Sequence, residues 1–488
     1  MRIFIQGLEN QGIARRRSVG GRTSDYAIEA EIGPKGHLWM ETISGHDYAG
    51  WVNTNRENNM GITIVQKSDL RSKRKRSKIA LVLSGGAITG GAFKLGGLQA
   101  LNGFMLNRNI VDFDMFIGTS AGSFLATYLA NGITTDQLAN SFEGKDGHVD
   151  PIMISEFYAL NVKDVLTAPT HIVEHLATMA IKGAFGFIKT NNVFQKKFRQ
   201  RLAGMVMRPT YKNIQAFVQY CLLQELEKKP QPAFPWHFVP NGIFTTDKLE
   251  HSTRQNLEKN KLCNDFNELY QNRRRRLYII SMILDTAERV VFGPDAKNDV
   301  SISKAMQASI ALPLFYKPVR IENEDYIDGA LVKTTSMDVA IAKKADLIIC
   351  YNPFRPFNRG RHIEINQGKK ARVPIAEDGI YAVLNQAMRT MLHTRLMNGI
   401  QLWEKDPNYD GDIILIEPTE YDATFFDMNP MAFWERRRAA TRGYESVRES
   451  IRRQYPQLKQ ILNGHGIRVD PDFNLGGGDS GCAGKDAA

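Results

Sequence analysis

The segment that most restricts how this chain folds is Gly118-Thr119-Ser120-Ala121-Gly122. An apolar run, Phe113 to Ile117, leads into it, and Phe124, Leu125, Tyr128 and Leu129 follow at helical spacing until Asn131-Gly132. A serine between two glycines, where a strand turns into a helix, is the nucleophile-elbow pattern. The sharp turn holds the serine on a strained backbone, and the glycines leave room for it. The hydroxyl then stands at a helix N-terminus, where backbone N–H groups and the helix dipole favour a developing negative charge. Taken alone, the same five residues also fit a tight turn without chemistry, so the surrounding sequence decides.

Upstream, Ile79-Ala80-Leu81-Val82-Leu83 is unbroken and of strand length, as expected for a strand buried on both faces of a parallel sheet. A glycine-rich loop is expected at Ser84–Gly91, then a helix with Leu95, Leu98, Leu101 and Met105 on one face. Such a unit brings backbone N–H groups up to a bound anion. The G-x-G-x-x-G spacing is absent and no Gly-Lys-Ser/Thr closes the loop, which excludes a dinucleotide loop and a P-loop. Downstream, strands are predicted at Leu277–Leu284, around Val319–Ile321 and Tyr326–Ile327, and at Ala345–Cys350. Helical stretches are predicted at Ser303–Ile310 and Met337–Lys343. This alternation points to an α/β sheet.

A serine nucleophile needs a base and a set of oxyanion donors. Gly85, Gly86 and Ala87 carry little or no side chain, so their N–H groups can approach a substrate oxygen closely. The base is either a distant histidine or an acid. His148, His171, His175, His237, His251, His362, His393 and His465 follow the serine, and none sits in an evident strand-end loop. Asp328 follows a short apolar strand and precedes Gly329, a turn able to aim a carboxylate back into a cleft.

Four pieces in this order resemble the patatin-like phospholipases: Leu83-Ser84-Gly85-Gly86, Gly118-Thr119-Ser120-Ala121-Gly122, Ala308-Ser309-Ile310-Ala311-Leu312-Pro313 and Tyr326-Ile327-Asp328-Gly329-Ala330. The likeness covers Lys78 to Gly132 and Leu277 to Tyr351, about a quarter of the chain. It implies a three-layer α/β/α sandwich around a central, mostly parallel sheet. It also implies a catalytic Ser120–Asp328 dyad that needs no histidine, metal or cofactor, with Gly85, Gly86 and Ala87 as the oxyanion hole. The implied substrates are lipid acyl esters, above all glycerophospholipids or lysophospholipids. One departure stands out. The family loop reads Gly-Gly-Gly-x-Arg/Lys-Gly, whereas Gly85-Gly86-Ala87-Ile88-Thr89-Gly90-Gly91 has no basic residue and one extra position. Lys94 is the nearest candidate to compensate, although the plainer expectation for it is a lysine on a helix surface. A chain that keeps the fold, has lost turnover and binds lipid or a partner is the competing possibility.

The expected organisation is an N-terminal extension, 1–77, with short strands such as Tyr26–Ile32 and a basic linker Arg71–Lys78. A patatin-like catalytic domain, 78–352, follows, with a mainly helical insert at about 150–271. The remainder is a mainly helical region, 353–475, and a flexible tail, 476–488. Helices are predicted from about Glu377 to Glu404 and from Asn429-Pro430 through Ile451. In the insert, Ile172, Leu176 and Met179 share a face near Phe185 and Phe187, which suits either a membrane-facing cap or packing on the core.

The formal net charge of +11 calls for an anionic partner. The basic runs have no recognised nucleic-acid module and no aromatic platform beside them, which favours an anionic membrane surface over nucleic acid. Cys221, Cys263, Cys350 and Cys482 show no C-x-x-C spacing, so a zinc site or disulfide framework is not expected, and Cys350 reads as a buried small hydrophobe. No apolar run reaches the roughly 18 to 20 residues of a membrane span, and the first residues lack a signal-peptide core. A cytoplasmic, peripherally membrane-associated protein is the expectation.

Overall fold

Consecutive apolar residues leave no polar face for solvent, and Ile79–Leu83 accordingly forms a wholly buried strand, β1. It belongs to a computed structural model that describes residues 61–69, 76–145, 149–161, 200, 240–358 and 374–474, together with the backbone of three earlier strands. The chain separates into two compact units, 1–63 and 64–488. In the first unit, Ala14–Ser18, Tyr26–Glu31 and His37–Glu41 form an antiparallel meander, with Arg16 opposite Ile28 and Glu29 opposite Trp39.

In the second unit, β1 is followed by α1 (Ala87–Phe104), β2 (Met115–Thr119), α2 (Ala121–Ala130), β3 (Arg276–Ile283) and β4 (Arg289–Phe292). Next come α3 (Ile302–Ile310), β5 (Val319–Ile321), β6 (Glu324–Asp328), β7 (Leu347–Tyr351), α4 (Ile380–Lys405), β8 (Asp412–Ile416) and α5 (Arg436–Arg453). The sheet runs β5-β6-β3-β2-β1-β7-β8, with β4 beside β3. Pairings among β1, β2, β3, β7 and β8 are parallel. Those of β4 and β6 with β3, and of β5 with β6, are antiparallel.

Helices cover both faces of this sheet, giving the expected α/β/α sandwich. On one face, Ala80, Val82, Ile117, Ile280, Ile348 and Ile413 pack with Met337, Leu396 and Ile400. On the other, Leu81, Phe116 and Ile349 are equally buried. Cys350 is buried as expected. Within the insert, Ile154–Phe157, Asp247–Lys259 and Phe266–Arg273 are helical. The segment from Ile172 to Lys189, the tail 476–488, Cys221 and Cys482 lie outside the described residues. Among the described residues, no helix is long and apolar enough to cross a membrane.

Two local expectations are corrected. The glycine-rich loop is shorter than predicted, because α1 starts at Ala87 and Gly90 N–H already bonds Gly86 C=O at 2.9 Å, a helical bond. The last long helix does not start at Asn429-Pro430. Asn429 Oδ1 instead accepts Met431 N–H at 2.9 Å in a side-chain turn, and Pro430 C=O accepts Thr89 N–H at 3.0 Å. These bonds hold the segment off the helical path until Arg436.

Candidate active site

The register of β3 brings the predicted nucleophile and base together. Its residues Arg276 to Ile280 pair with β2, ending on Thr119 opposite Ile280. Ile283 to Ser281 pair with β6, ending on Asp328 opposite Ser281. Residues 279–282 pair with β4 as well, and a strand residue has two edges only. β2 and β6 therefore share the other edge, meeting end to end at the boundary between Ile280 and Ser281. The residue after β2 is Ser120, and the last residue of β6 is Asp328.

Ser120 adopts φ 54° and ψ −130°, a backbone region costly for any residue with a Cβ, and caps the N-terminus of α2. The elbow packs tightly beneath it: a Cβ at Gly122 would lie 2.2 Å from Leu83 O. The strained serine is tied down from both sides. Its N–H donates to Ser309 Oγ at 2.8 Å, and Ser309 Oγ donates in turn to Ile280 C=O at 2.6 Å. Its C=O accepts Ser123 N–H at 2.8 Å and Ser123 Oγ at 2.6 Å.

Asp328 is buried beside the Ser120 hydroxyl, with Ala330 N–H donating to its Oδ1 at 2.9 Å. Burial pushes its carboxyl up to about 6, against the opposing pull of the Ser120 hydroxyl, the Ala330 N–H and the Lys94 charge. A base poised near neutrality and in contact with a hydroxyl suits proton abstraction.

The glycine loop lies directly beside the serine, since a Cβ on Gly85 would sit 3.2 Å from Ser120 Cβ. Gly86 has φ 142°, open to glycine but not to L side chains, and Ala87 follows at φ 51°. Ala87 and Ile88 occupy the first turn of α1, where N–H groups have no carbonyl within the helix to bond. The expectation of a surface Lys94 is overturned. It is fully buried, and its ammonium donates to Ser84 C=O and, at 2.7 Å, to Gly85 C=O. Burial holds it down to about 7, against the attraction of Asp328 and Cys350.

Ser120, Ala87 and Ile88 border a narrow cleft, open to solvent and otherwise lined by apolar groups that include Phe124, Phe142, Phe157, Leu312 and Met431. Among the described histidines, none is the partner of Ser120. His251 bonds Arg254 at 2.9 Å, His393 bonds Glu417 at 3.2 Å, and His465 bridges Ser77 and Asp412, each at 2.9 Å. His148, His171, His175, His237 and His362 lie outside the described residues.

Sequence reasoning assigned no role to Ser309 or Met431. Ser309 carried a usable signal, a small polar residue inside an otherwise apolar helix end, because a buried hydroxyl demands partners.

The family model for patatin-like phospholipase matches residues 81–341. No curated protein matches the chain. Similar solved structures include VipD from Legionella pneumophila, at 15% identity over 90% of this chain and 70% of that one, with TM-score 0.35. ExoU in its complex with SpcU, from the type III secretion system of Pseudomonas aeruginosa, is 15% identical over 93% of this chain and 70% of its own, with TM-score 0.24. Human GIVD cytosolic phospholipase A2 in complex with methyl gamma-linolenyl fluorophosphonate is 12% identical over 93% and 70%, with TM-score 0.29.

Proposed function

The chain belongs to the patatin-like phospholipase family, and we propose that it hydrolyses lipid acyl esters, as a phospholipase A or lysophospholipase, through a Ser120–Asp328 dyad. The observation that carries this proposal is the end-to-end meeting of β2 and β6 on β3, which sets a strained serine hydroxyl against a carboxylate beside an apolar cleft.

Ser120 Oγ attacks the acyl carbonyl carbon while its proton passes to Asp328. N–H groups of Gly85, Gly86 and Ala87 hold the oxyanion. The intermediate collapses to an acyl-serine ester, and the leaving alcohol takes the proton back from Asp328. Water then attacks the acyl-serine, giving its proton to Asp328. Collapse returns that proton to Ser120 and releases the fatty acid. The apolar walls suit an acyl chain, and the region 353–475 contributes Met431 to them. We assign the catalytic domain to 78–352.

Exposed Met153, Ile154, Leu160 and Leu314 lie on segments that line the cleft, and with the net charge of +11 they suit peripheral contact with an anionic lipid surface. The test combines labelling by a lipid-like fluorophosphonate with product analysis on mixed phospholipid vesicles. The wild type should be labelled and release fatty acid, and Ser120→Ala and Asp328→Asn should each abolish release while remaining folded. A folded wild type that is neither labelled nor active refutes the assignment.

A further inference from the structure

The glycine loop lacks the basic residue expected within it, and yet a cation holds it. Lys94 reaches the loop from the second turn of α1. It is fully buried, and its ammonium donates to the carbonyl oxygens of Ser84 and Gly85. In a trans peptide unit, C=O and the following N–H point in opposite directions within one plane. Fixing Ser84 C=O therefore fixes Gly85 N–H, and fixing Gly85 C=O fixes Gly86 N–H. These are two of the three donors assigned to the oxyanion.

The start of the loop is anchored separately. Ser84 N–H and Ser84 Oγ donate to Tyr351 C=O at 3.2 and 3.1 Å, and Ser84 Oγ lies 3.2 Å from Asn352 Oδ1. Beyond that anchor Ser84 Oγ reaches Gly85 C=O only at 3.4 Å, and Lys94 supplies the short bonds to the Ser84 and Gly85 carbonyls. We propose that Lys94 is the positioning residue of the oxyanion loop, aiming the Gly85 and Gly86 N–H groups through their own peptide units and setting a positive charge beside Asp328. The inference rests on the Ser120–Asp328 hydrolase assignment and adds to it a cation supplied by the helix instead of the loop.

Its two effects are separable. The titratable groups facing Lys94 are Asp328 and Cys350, with Glu417 beyond Cys350. Those facing Asp328 are Lys94 and the Ser120 hydroxyl. A neutral amine keeps two N–H donors, so deprotonating Lys94 removes the charge without releasing both carbonyls. Replacing Lys94 with an apolar side chain removes both.

Lys94→Met and Lys94→Arg are compared with the full-length wild type on a short-chain p-nitrophenyl ester, across pH 5 to 9. Lys94→Met should lower kcat by about 10²- to 10³-fold with KM within about threefold. Its acid limb should move up by about one pH unit, as Asp328 loses its neighbouring cation. Lys94→Arg should return the limb to the wild-type position and recover at least about tenfold of the lost kcat, because charge and donors are restored. A kcat for Lys94→Met within about threefold of wild type, or a fall in kcat without movement of the limb, overturns the inference. If Lys94→Met does not fold, Lys94→Gln takes its place: a limb raised by about one pH unit with a lowered kcat supports the role, and an unmoved limb overturns it. An inactive, unlabelled wild type overturns the hydrolase assignment and this inference with it. An active wild type with an unaffected Lys94→Met overturns this inference alone.

Discussion

Ser309→Ala tests how the strained elbow is held. The fully buried Ser309 hydroxyl accepts Ser120 N–H at 2.8 Å and donates to Ile280 C=O at 2.6 Å. Removing it orphans one buried N–H, at about 1–3 kcal/mol, and takes one of two acceptor sites from a strand carbonyl. Against this stands the strain at φ 54° and ψ −130°, worth about 1–3 kcal/mol and sustained only while the surroundings enforce it. Once Ser120 N–H has no fixed acceptor, the elbow can relax, recovering part of the lost stability by moving the nucleophile. The expected outcome is a stability loss of about 2 kcal/mol, joined to a kcat loss of at least about tenfold, since displacing a reacting atom by 1 Å costs up to about 10²-fold. Urea unfolding supplies the first quantity and ester hydrolysis at saturating substrate the second. A variant within about 0.5 kcal/mol of wild type with unchanged kcat would refute the idea that Ser309 maintains the strain.

Three other outcomes are expected. Because burial pushes Asp328 up to about 6, kcat/KM should rise about tenfold per pH unit below that value and level off above it; a flat profile from pH 5 to 7 rules out Asp328 as the base. The same shift means that the folded chain holds this proton more tightly than the unfolded chain, whose aspartates titrate near 3.9, so ionised Asp328 costs stability above about pH 6 and costs nothing below about pH 4. Asp328→Asn should therefore raise stability at pH 7.5 by of order 2 kcal/mol and leave it unchanged at pH 4; equal shifts at both values would contradict the linkage. His465→Ala should lose about 1–3 kcal/mol by taking the partner of buried Ser77 and one of the bonds to buried Asp412, which keeps those from Lys67 N–H, Ser68 N–H and Ser68 Oγ, while the folded fraction keeps its kcat; selective loss of chemistry would instead implicate a histidine base.

The parts of the fold legible from sequence are those fixed by local pattern. The unbroken run Ile79–Leu83 could only be a strand covered on both faces, and Ser120 between its glycines could hardly be other than a turn. Lys94 was misplaced because one lysine in a helix carries no local mark of where it points. Its direction depends on burial around the whole circumference of α1, where Phe93, Leu95, Leu98 and Ala100 are all buried. Pro430 looked like a helix start because its capping sequence is a good one. Its carbonyl is bonded by Thr89, 341 residues earlier, and no window of sequence contains both. The nearness of Ser120 to Asp328 was inferable only through family resemblance, since it rests on how two distant strands align on a third.

That alignment leaves little latitude. A one-residue slip of β6 along β3 would bring Ile327 opposite Ser281 and turn the carboxylate to the opposite face of the sheet. Ser281 Oγ guards against it by donating to Ile327 C=O at 2.8 Å. A second constraint comes from the C-terminal end of α3. Ser309 Oγ accepts the Ser120 N–H at 2.8 Å, and Ala311 C=O, two residues on, accepts the Asp328 N–H at 3.0 Å. One short piece of chain thus grips the backbone of the proposed nucleophile and of the proposed base at once. The separation between them is set by the length of two residues at a helix end, which resists stretching far better than two independent loops would. In the proposed Ser120–Asp328 dyad no third side chain corrects a misaligned hydroxyl, so its alignment has to come from the backbone. The Ala308-Ser309-Ile310-Ala311 segment is where this chain provides it.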